Sequence, residues 1–255
     1  KTFTDVLRNP AHRDPRGYIV PSNQPDFPTA TKFINTLRYV GVQVGRATGP
    51  FTVAGKNYPA GSYVVKTAQA GRAHVLDMFE PQDQPNDFAY PGGPPRRPYD
   101  KAGWTLSYQM GVKFDRIMEP FDAPTENIEG LARPMPGTVA SASGAAGYLV
   151  SPSINDAFTL TNRVLKANGE VYRIKTPMSV GGKSYPAGSF YVVATGATAP
   201  IVQKAAQDLG VSVDGSSAGV GADATKLTTK KIALWDSFNG SMTSGWTRFL
   251  LEKFE

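Results

Sequence analysis

The stretch TVAGKNYPAGSYVV, residues 52–65, returns almost unchanged as SVGGKSYPAGSFYVV, residues 179–193. Between Gly55 and Ser62 the two copies differ only in Asn57 against Ser184. A repeat of this kind constrains the architecture before any single residue is weighed. The similarity continues outward: Val44, Arg46, Pro50 and Val53 match Val171, Arg173, Pro177 and Val180 at one constant offset. Upstream, GYIV from Gly17 matches GYLV from Gly147 at a slightly different offset, as one loop deletion produces. Each unit is expected to run strand, helix, strand, repeated phrase, strand and helix. The expected fold is α/β, made of internally duplicated β-α-β-β-α units with mixed sheets and helices packed on them.

The phrase itself has two readings. Gly55-Lys56 and Gly61-Ser62 invite comparison with a phosphate loop, but the P-loop spacing is absent and no helix pattern follows the glycines. As structure, the phrase predicts two consecutive tight turns feeding a buried strand, with glycines free to take positive φ and Tyr58 between them. It reads as scaffold. The helices are legible beside it. Asp26 is a candidate N-cap, Pro28 stands in the first turn, and Ala30, Phe33, Ile34 and Leu37 form one face before Gly41. In the second unit Leu160, Val164 and Ala167 form a similar stripe, with Gly169 as the expected stop. Later helices are expected through Ala73, Leu76 and Phe79, and from Thr198 to Leu209 before Gly210.

Three segments read as connections. Residues 80–100 are too rich in proline for a helix or a central strand. PGTVASASGAAG from Pro136 reads as a small-residue linker, and DGSSAGVGADATK from Asp214 as a flexible connection. Residues 232–235 read as a buried strand, and Trp246, Phe249, Leu250 and Phe254 as one face of a helix. The expected organisation is a first unit over 1–135 with a Pro-rich loop at about 80–103, a second over 136–225, and the start of a further α/β domain over 226–255. The chain is expected to be an interior piece of a longer polypeptide.

Composition narrows the function. Lys and Arg number 27 against 21 Asp and Glu, a net charge of +6, yet the basic residues are scattered. Nucleic-acid binding calls for a clustered basic stripe interleaved with aromatics, and none is present. No apolar run approaches the roughly 18 residues that span a bilayer. The absence of cysteine removes disulfides, thiolate metal sites and a cysteine nucleophile. His12 lies in a polar turn. His74 and Asp77 share a helix face but supply too few ligands for zinc, and no metal site is expected. NGSMTSG, residues 239–245, lacks the G-x-S-x-G spacing of a nucleophile elbow and no histidine follows it. It reads as a connecting turn, with an anion at the helix N-terminus as the alternative. Asp83 and Asp87 are loop acids.

The richest stretch is residues 88–115, where Tyr90, Arg96, Arg97, Tyr99, Asp100 and Trp104 surround proline turns. Aromatic and arginine side chains on pre-rigidified loops make binding surfaces. A structural reading stands beside this one: the same aromatics can simply fasten a long loop to its sheet. These six residues are the candidate ligand or interface positions, and no catalytic residue is expected among them.

SNQPDFPTATKFINTL, the long stretch from Pro50 through Asp100, AGWTLSYQMGVKFDRI and LWDSFNGSMTSGWTRFLLEKFE closely resemble one protein group. It is the large bacterial zinc carboxypeptidase-like proteins of the carboxypeptidase A metallopeptidase family. The resemblance covers nearly the whole chain and falls on the region after the peptidase domain. It implies a parent that is exported, periplasmic or secreted, and that hydrolyses peptides from the C-terminus with a zinc-bound water and a glutamate base. It also implies that a domain similar in fold to the class I glutamine amidotransferases follows, beginning near LWDSFNGSMTSGW. The family's ligand motif is H-x-x-E with a distant histidine. His12 is followed by Arg13-Asp14-Pro15 and His74 by Val75-Leu76-Asp77, so no catalytic residue carries over.

The expected role is a non-catalytic accessory region that supports domain packing or substrate binding. Its expected partners are other domains of the same polypeptide and a peptide substrate, with no nucleic acid and no membrane span. No cofactor is expected here, zinc belonging to the parent's peptidase domain. A stand-alone peptide- or carbohydrate-binding module and a hydrolase with an unrecognised site remain the alternatives.

Overall fold

The computed structural model describes residues 6, 9–81, 87–96 and 105–255. The chain divides into two compact units, Lys1–Arg133 and Pro134–Glu255.

In the first unit β1 (Gly17–Val20) leads to α1 (Phe27–Tyr39) and β2 (Gly45–Ala47), then a hairpin of β3 (Phe51–Val53) and β4 (Lys56–Tyr58). β5 (Tyr63–Lys66), α2 (Arg72–Phe79), a short α3 (Leu106–Gln109), β6 (Asp115–Ile117) and β7 (Thr125–Asn127) follow. The sheet order is β6-β1-β5-β2-β7, with every neighbouring pair antiparallel. β1 and β2 therefore run parallel on either side of β5, with α1 as their crossover. Tyr18 and Val20 of β1, with Tyr63 and Val65 of β5, pack against Phe33, Ile34 and Leu37 of α1. Ile19 and Val64 point the other way, onto Val53 and Tyr58 of the hairpin. Both sheet faces are covered, which is why GYIV reads as an unbroken apolar run rather than an alternation.

The termini of α1 follow from local chemistry. The Asp26 carboxylate accepts from the Thr29 N–H at 3.0 Å. At the other end Gly41 (φ 85) bonds the Arg38 carbonyl while the Val42 N–H reaches Leu37, the paired bonds of a Schellman motif.

The second unit runs β8 (Val139–Ala140), β9 (Gly147–Val150), α4 (Asp156–Lys166) and β10 (Val171–Ile174), then the hairpin β11 (Met178–Val180) and β12 (Lys183–Tyr185). β13 (Phe190–Val193), α5 (Thr198–Leu209), β14 (Val213–Ser216), β15 (Ala224–Lys226) and α6 (Met242–Lys253) complete it. Its sheet order is β15-β10-β13-β9-β14-β8, mixed because β14 and β8 are parallel. Without β8 this is the order β7-β2-β5-β1-β6 of the first unit. The registers agree as well: Tyr18 faces Val65 as Tyr148 faces Val192. Tyr148, Val150, Phe190 and Val192 pack on Leu160, Val164, Val202 and Ala205 of the helices, while Leu149 and Tyr191 meet Tyr185 of the hairpin. The α/β class, with helices packed on the sheets, holds in both units.

The repeated phrase is the hairpin and the turn that follows it. Phe51 pairs with Tyr58 and Val53 with Lys56, as Met178 pairs with Tyr185 and Val180 with Lys183. Both central residues of each hairpin turn have positive φ: Ala54 (49) and Gly55 (73), Gly181 (57) and Gly182 (78). That is the type I′ pattern. The PAG turn then repeats bond for bond. Gly61 N–H reaches the Ala47 carbonyl and Gly188 N–H that of Ile174, both at 2.8 Å. The hydroxyls of Ser62 and Ser189 each donate to the proline carbonyl three residues back, at 2.7 Å. Ala54 stands left-handed where the second unit has glycine, at a cost of about 1–2 kcal/mol for an L-residue. Part of this is offset by the greater chain entropy that glycine loses on folding. Ala54→Gly is therefore expected to raise stability by a few tenths to about 1 kcal/mol in urea melts, and a loss would refute the turn assignment.

Four expectations are corrected. The left-handed stop after α4 is Asn168 (φ 59), not Gly169. Gly169 stands one residue on, where a Cβ would crowd Val164 and Thr198. The supposed linker from Pro136 contains β8, and its Gly137 is small because the Val211 carbonyl lies against it. The supposed flexible connection from Asp214 begins inside β14, whose Gly215 abuts the Ser141 carbonyl. Residues 232–235 form neither a strand nor a buried segment: Ile232 and Trp235 are 67% and 87% exposed. Among the described residues they pair with no strand.

A further correspondence lies beyond the repeated phrase. MGVKFD, residues 110–115, matches LGVSVD, residues 209–214, and Gly111 (φ 64) and Gly210 (φ 72) are both left-handed. Between α2 and β6 the first unit carries residues 80–114, where the second has only 210–212 between α5 and β14. The Pro-rich segment is thus an extension particular to the first unit.

Candidate functional site

The root of this extension is anchored from several sides. α2 ends on Phe79, whose ring is stacked on Tyr18 at 4.2 Å and meets Phe33 and Phe114 edge-on. The next residue, Glu80, accepts from the Tyr18 hydroxyl at 2.5 Å and from Arg116 Nε at 2.6 Å. Its backbone carbonyl takes the Thr105 hydroxyl at 2.8 Å, so residues 80 and 105 are tied together. Burial, and after it Glu80, pushes the Tyr18 phenol well above its ordinary range. The phenol therefore acts as a permanent donor.

Residues 87–96 form a small hairpin. Phe88 bridges Pro95, Ala89 N–H reaches the Pro94 carbonyl, and Arg96 N–H reaches that of Asp87 at 2.9 Å. At its tip, Gly93 N–H bonds the Tyr90 carbonyl at 2.8 Å, with Pro91 second and Gly92 (φ 76) third, the arrangement of a type II turn. A Cβ on Gly93 would stand 2.7 Å from the Tyr90 ring, so only glycine lets that ring fold over the turn. Tyr90 remains 63% exposed. Arg96 meets Asp87 at 3.6 Å with both side chains largely in water, a pair worth less than about 1 kcal/mol. The guanidinium is thus available to an incoming carboxylate. Of the six sequence candidates, Tyr90 and Arg96 come together on this hairpin. Arg97, Tyr99, Asp100 and Trp104, like Asp83, lie outside the described residues.

The remaining titratable candidates do not converge. His12 is exposed, while His74 Nε2 is buried without a hydrogen-bond partner among the described residues. Among those residues no group of three or more His, Cys, Asp or Glu side chains is placed to hold a metal ion. In the 236–244 turn the Asp236 carboxylate accepts from the N–H groups of Ser237 and Ser241 and from the Ser244 hydroxyl. Ser241 caps α6 by accepting from Ser244 N–H at 3.1 Å. The hydrogen bond from Ser244 leads in holding Asp236 below the usual carboxylate range. These N–H groups serve the turn's own acid, which supports the connecting-turn reading over an anion site.

Each hairpin is also tied to its sheet by an aspartate. Lys56 Nζ lies 2.7 Å from Asp115, and Lys183 Nζ 2.8 Å from Asp214. Tyr185 donates its hydroxyl to the same Asp214 carboxylate. Burial, and then the neighbouring aspartate, raises the phenols of Tyr58 and Tyr185 above their ordinary value. The lysine and the tyrosine of each hairpin thus meet one aspartate of the sheet, a clasp that fastens the hairpin. Its sequence signal was the K-x-Y spacing common to both copies.

No family model, curated protein or solved structure matches the chain.

The surface that sequence reading missed is on α6. The helix forms where expected, but Trp246, Phe249 and Leu250 are 68%, 50% and 57% exposed. Met242 extends the same face, and Trp235 and Phe238 precede it in the open. The Trp246 and Phe249 rings pack edge-to-face at 5.7 Å, on the outside. An apolar stripe at helical spacing predicts burial, and here the described residues do not supply it.

Proposed function

We propose that this chain is a non-catalytic accessory region of an exported zinc metallocarboxypeptidase-like protein. In this reading zinc and peptide hydrolysis belong to a separate domain of the same polypeptide. The observation that carries the docking role is the outward face of α6. Met242, Trp246, Phe249 and Leu250 together present an apolar surface of a kind that marks interaction sites. Covering each of these side chains is worth about 1.5–3 kcal/mol, ample to hold a neighbouring domain in place. The sequence resemblance supports the identity of the parent, and the Tyr90–Arg96 hairpin offers a second, polar contact for a domain or a peptide. No helix among the described residues is long and apolar enough to cross a membrane.

Hydrogen–deuterium exchange tests this reading. In the longer polypeptide the amides of residues 242–253 are expected to exchange at least tenfold more slowly than in this chain alone, since docking stabilises the helix by more than about 1.4 kcal/mol. Equal exchange in the two would dismiss α6 as a docking face.

A further inference from the structure

On the other side of α6, within the second unit, a groove of about 770 Å³ runs between that helix, α4 and the segment 228–232. Leu251, about half a turn from Phe249 on the helix, faces it, so the groove is separate from the docking face. Its size lies in the range of small-ligand sites. Leu165, Ile232, Leu251 and Phe254 give it apolar walls. Two acids and two lysines also line it, and their pairing is uneven. Glu252 is held by Arg248 and Glu255 by Arg163, each at 2.7 Å. Arg163 is the leading cause that lowers Glu255, with Lys166 contributing only at longer range. Among the described residues neither Lys166 nor Lys230 has a carboxylate within salt-bridge distance. The side-chain amide of Asn162 is directed to the Phe254 carbonyl at 2.8 Å. The charged groups left open to a ligand are therefore both cationic, set beside an apolar surface.

We propose that this groove binds a carboxylate joined to an apolar chain. The chain lies on Leu165, Ile232, Leu251 and Phe254, and Lys166 and Lys230 meet the head group. A monoanion suits the site better than a dianion because Glu252 and Glu255 remain in the wall and repel a second negative charge. Two sources carry this chemistry, a free acyl carboxylate and a peptide C-terminus that follows an apolar residue.

The test is an NMR titration of the isotope-labelled chain with decanoate, decanol, and an acetylated Ala-Ala-Phe peptide in its free-acid and amide forms. At least one acid is expected to shift amides in residues 162–166 and 251–255 saturably at a single site. Decanol, or the peptide amide, is expected to bind about tenfold more weakly or worse, the usual effect of losing a charge-assisted hydrogen bond. Whichever acid binds identifies the source. The double variant Lys166→Gln, Lys230→Gln is expected to lose about tenfold in affinity, and Lys166→Arg, Lys230→Arg to keep most of it. Both lysines are exposed, so the melting temperature should stay that of the parent chain. The proposal is overturned by no saturable shift with either acid, by equal binding of acids and neutral analogues, by shifts confined to other surfaces, or by undiminished binding in the glutamine variant. Because the titration uses this chain alone, its outcome is independent of docking at Trp246 and Phe249.

Discussion

Asp214→Ala is expected to destabilise the second unit by about 2–3 kcal/mol, more than the corresponding Asp115→Ala costs the first unit. The two aspartates hold equivalent hairpins, but in different surroundings. Asp214 is 5% exposed and joins Lys183 Nζ and the Tyr185 hydroxyl. Without the carboxylate, Lys183 returns to water at little cost, but the Tyr185 hydroxyl stays buried and loses its acceptor. A buried donor without a partner costs about 1–3 kcal/mol, and the hairpin loses its only side-chain tie to β14 among the described residues. Asp115 also faces the buried Tyr58 phenol, which it helps to raise. It keeps more of its carboxylate in water, however, and its ion pair with Lys56 is a solvated one, so the loss there is smaller. Urea melts of the two variants measure the difference. In Tyr185→Phe the orphaned hydroxyl is gone, so adding Asp214→Ala to it should cost less than it does in the parent chain. A loss under about 1 kcal/mol for Asp214→Ala would mean that the clasp does not fasten the second hairpin.

Asp214 also shows where the sequence was opaque. DGSSAGVG has the composition of a flexible connection, and nothing in its local pattern distinguishes a small residue chosen for freedom from one chosen for closeness. Gly215 and Gly137 are of the second kind, each facing a carbonyl oxygen where a Cβ would collide. That information lies in the partner strand, not in the segment. The elements read correctly were those whose cause is local. Asp26 caps the helix it precedes, Gly41 ends it, and GKNYPAGS encodes its turns residue by residue. Of the candidate site, the YPGG turn that displays Tyr90 was legible for the same reason. The Asp87–Arg96 pairing was not, because it depends on a hairpin closing across eight intervening residues.

The α6 segment fails differently. Residues 232–235 read as a buried strand, and Trp246 and Phe249 as part of one helix face, because apolar patterning predicts what a segment must cover. It does not supply the surface that does the covering. In the two sheets, strands such as GYIV and GYLV have helices on one side and a hairpin on the other, so the prediction and the packing agree. For α6 the same chemistry leaves an apolar face that no described residue covers, and the proposed docking role rests on that mismatch. The extension at residues 80–114 carries the opposite lesson. It interrupts the correspondence of MGVKFD with LGVSVD, and so conceals that the element before β6 matches the end of α5.

Phe79→Ala is expected to be the most damaging single change in the first unit, costing about 3–5 kcal/mol. Its ring is fully buried, parallel to Tyr18 at 4.2 Å and edge-on to Phe33 at 5.0 Å and Phe114 at 4.9 Å. Truncation removes contacts from three aromatic neighbours at once, each such pair being worth about 0.5–1.5 kcal/mol beyond buried area. The effect should also travel along the chain. Phe79 is the last residue of α2, and the Glu80 that follows it ties the extension to β1 through Tyr18 and to β6 through Arg116. If the Tyr18 ring moves into the vacated space, its hydroxyl leaves Glu80, and the hairpin bearing Tyr90 and Arg96 loses a fixed root. Amide exchange at residues 87–96 should therefore quicken in Phe79→Ala even at temperatures where the unit remains folded. Phe79→Leu refills most of the volume and should keep Tyr18 in place, with a loss nearer 1–2 kcal/mol and little change in hairpin exchange. A small loss for Phe79→Ala, under about 1.5 kcal/mol, would show that the neighbouring rings close the cavity unaided. A full loss with unchanged hairpin exchange would show that Glu80 holds the extension without the aromatic stack behind it.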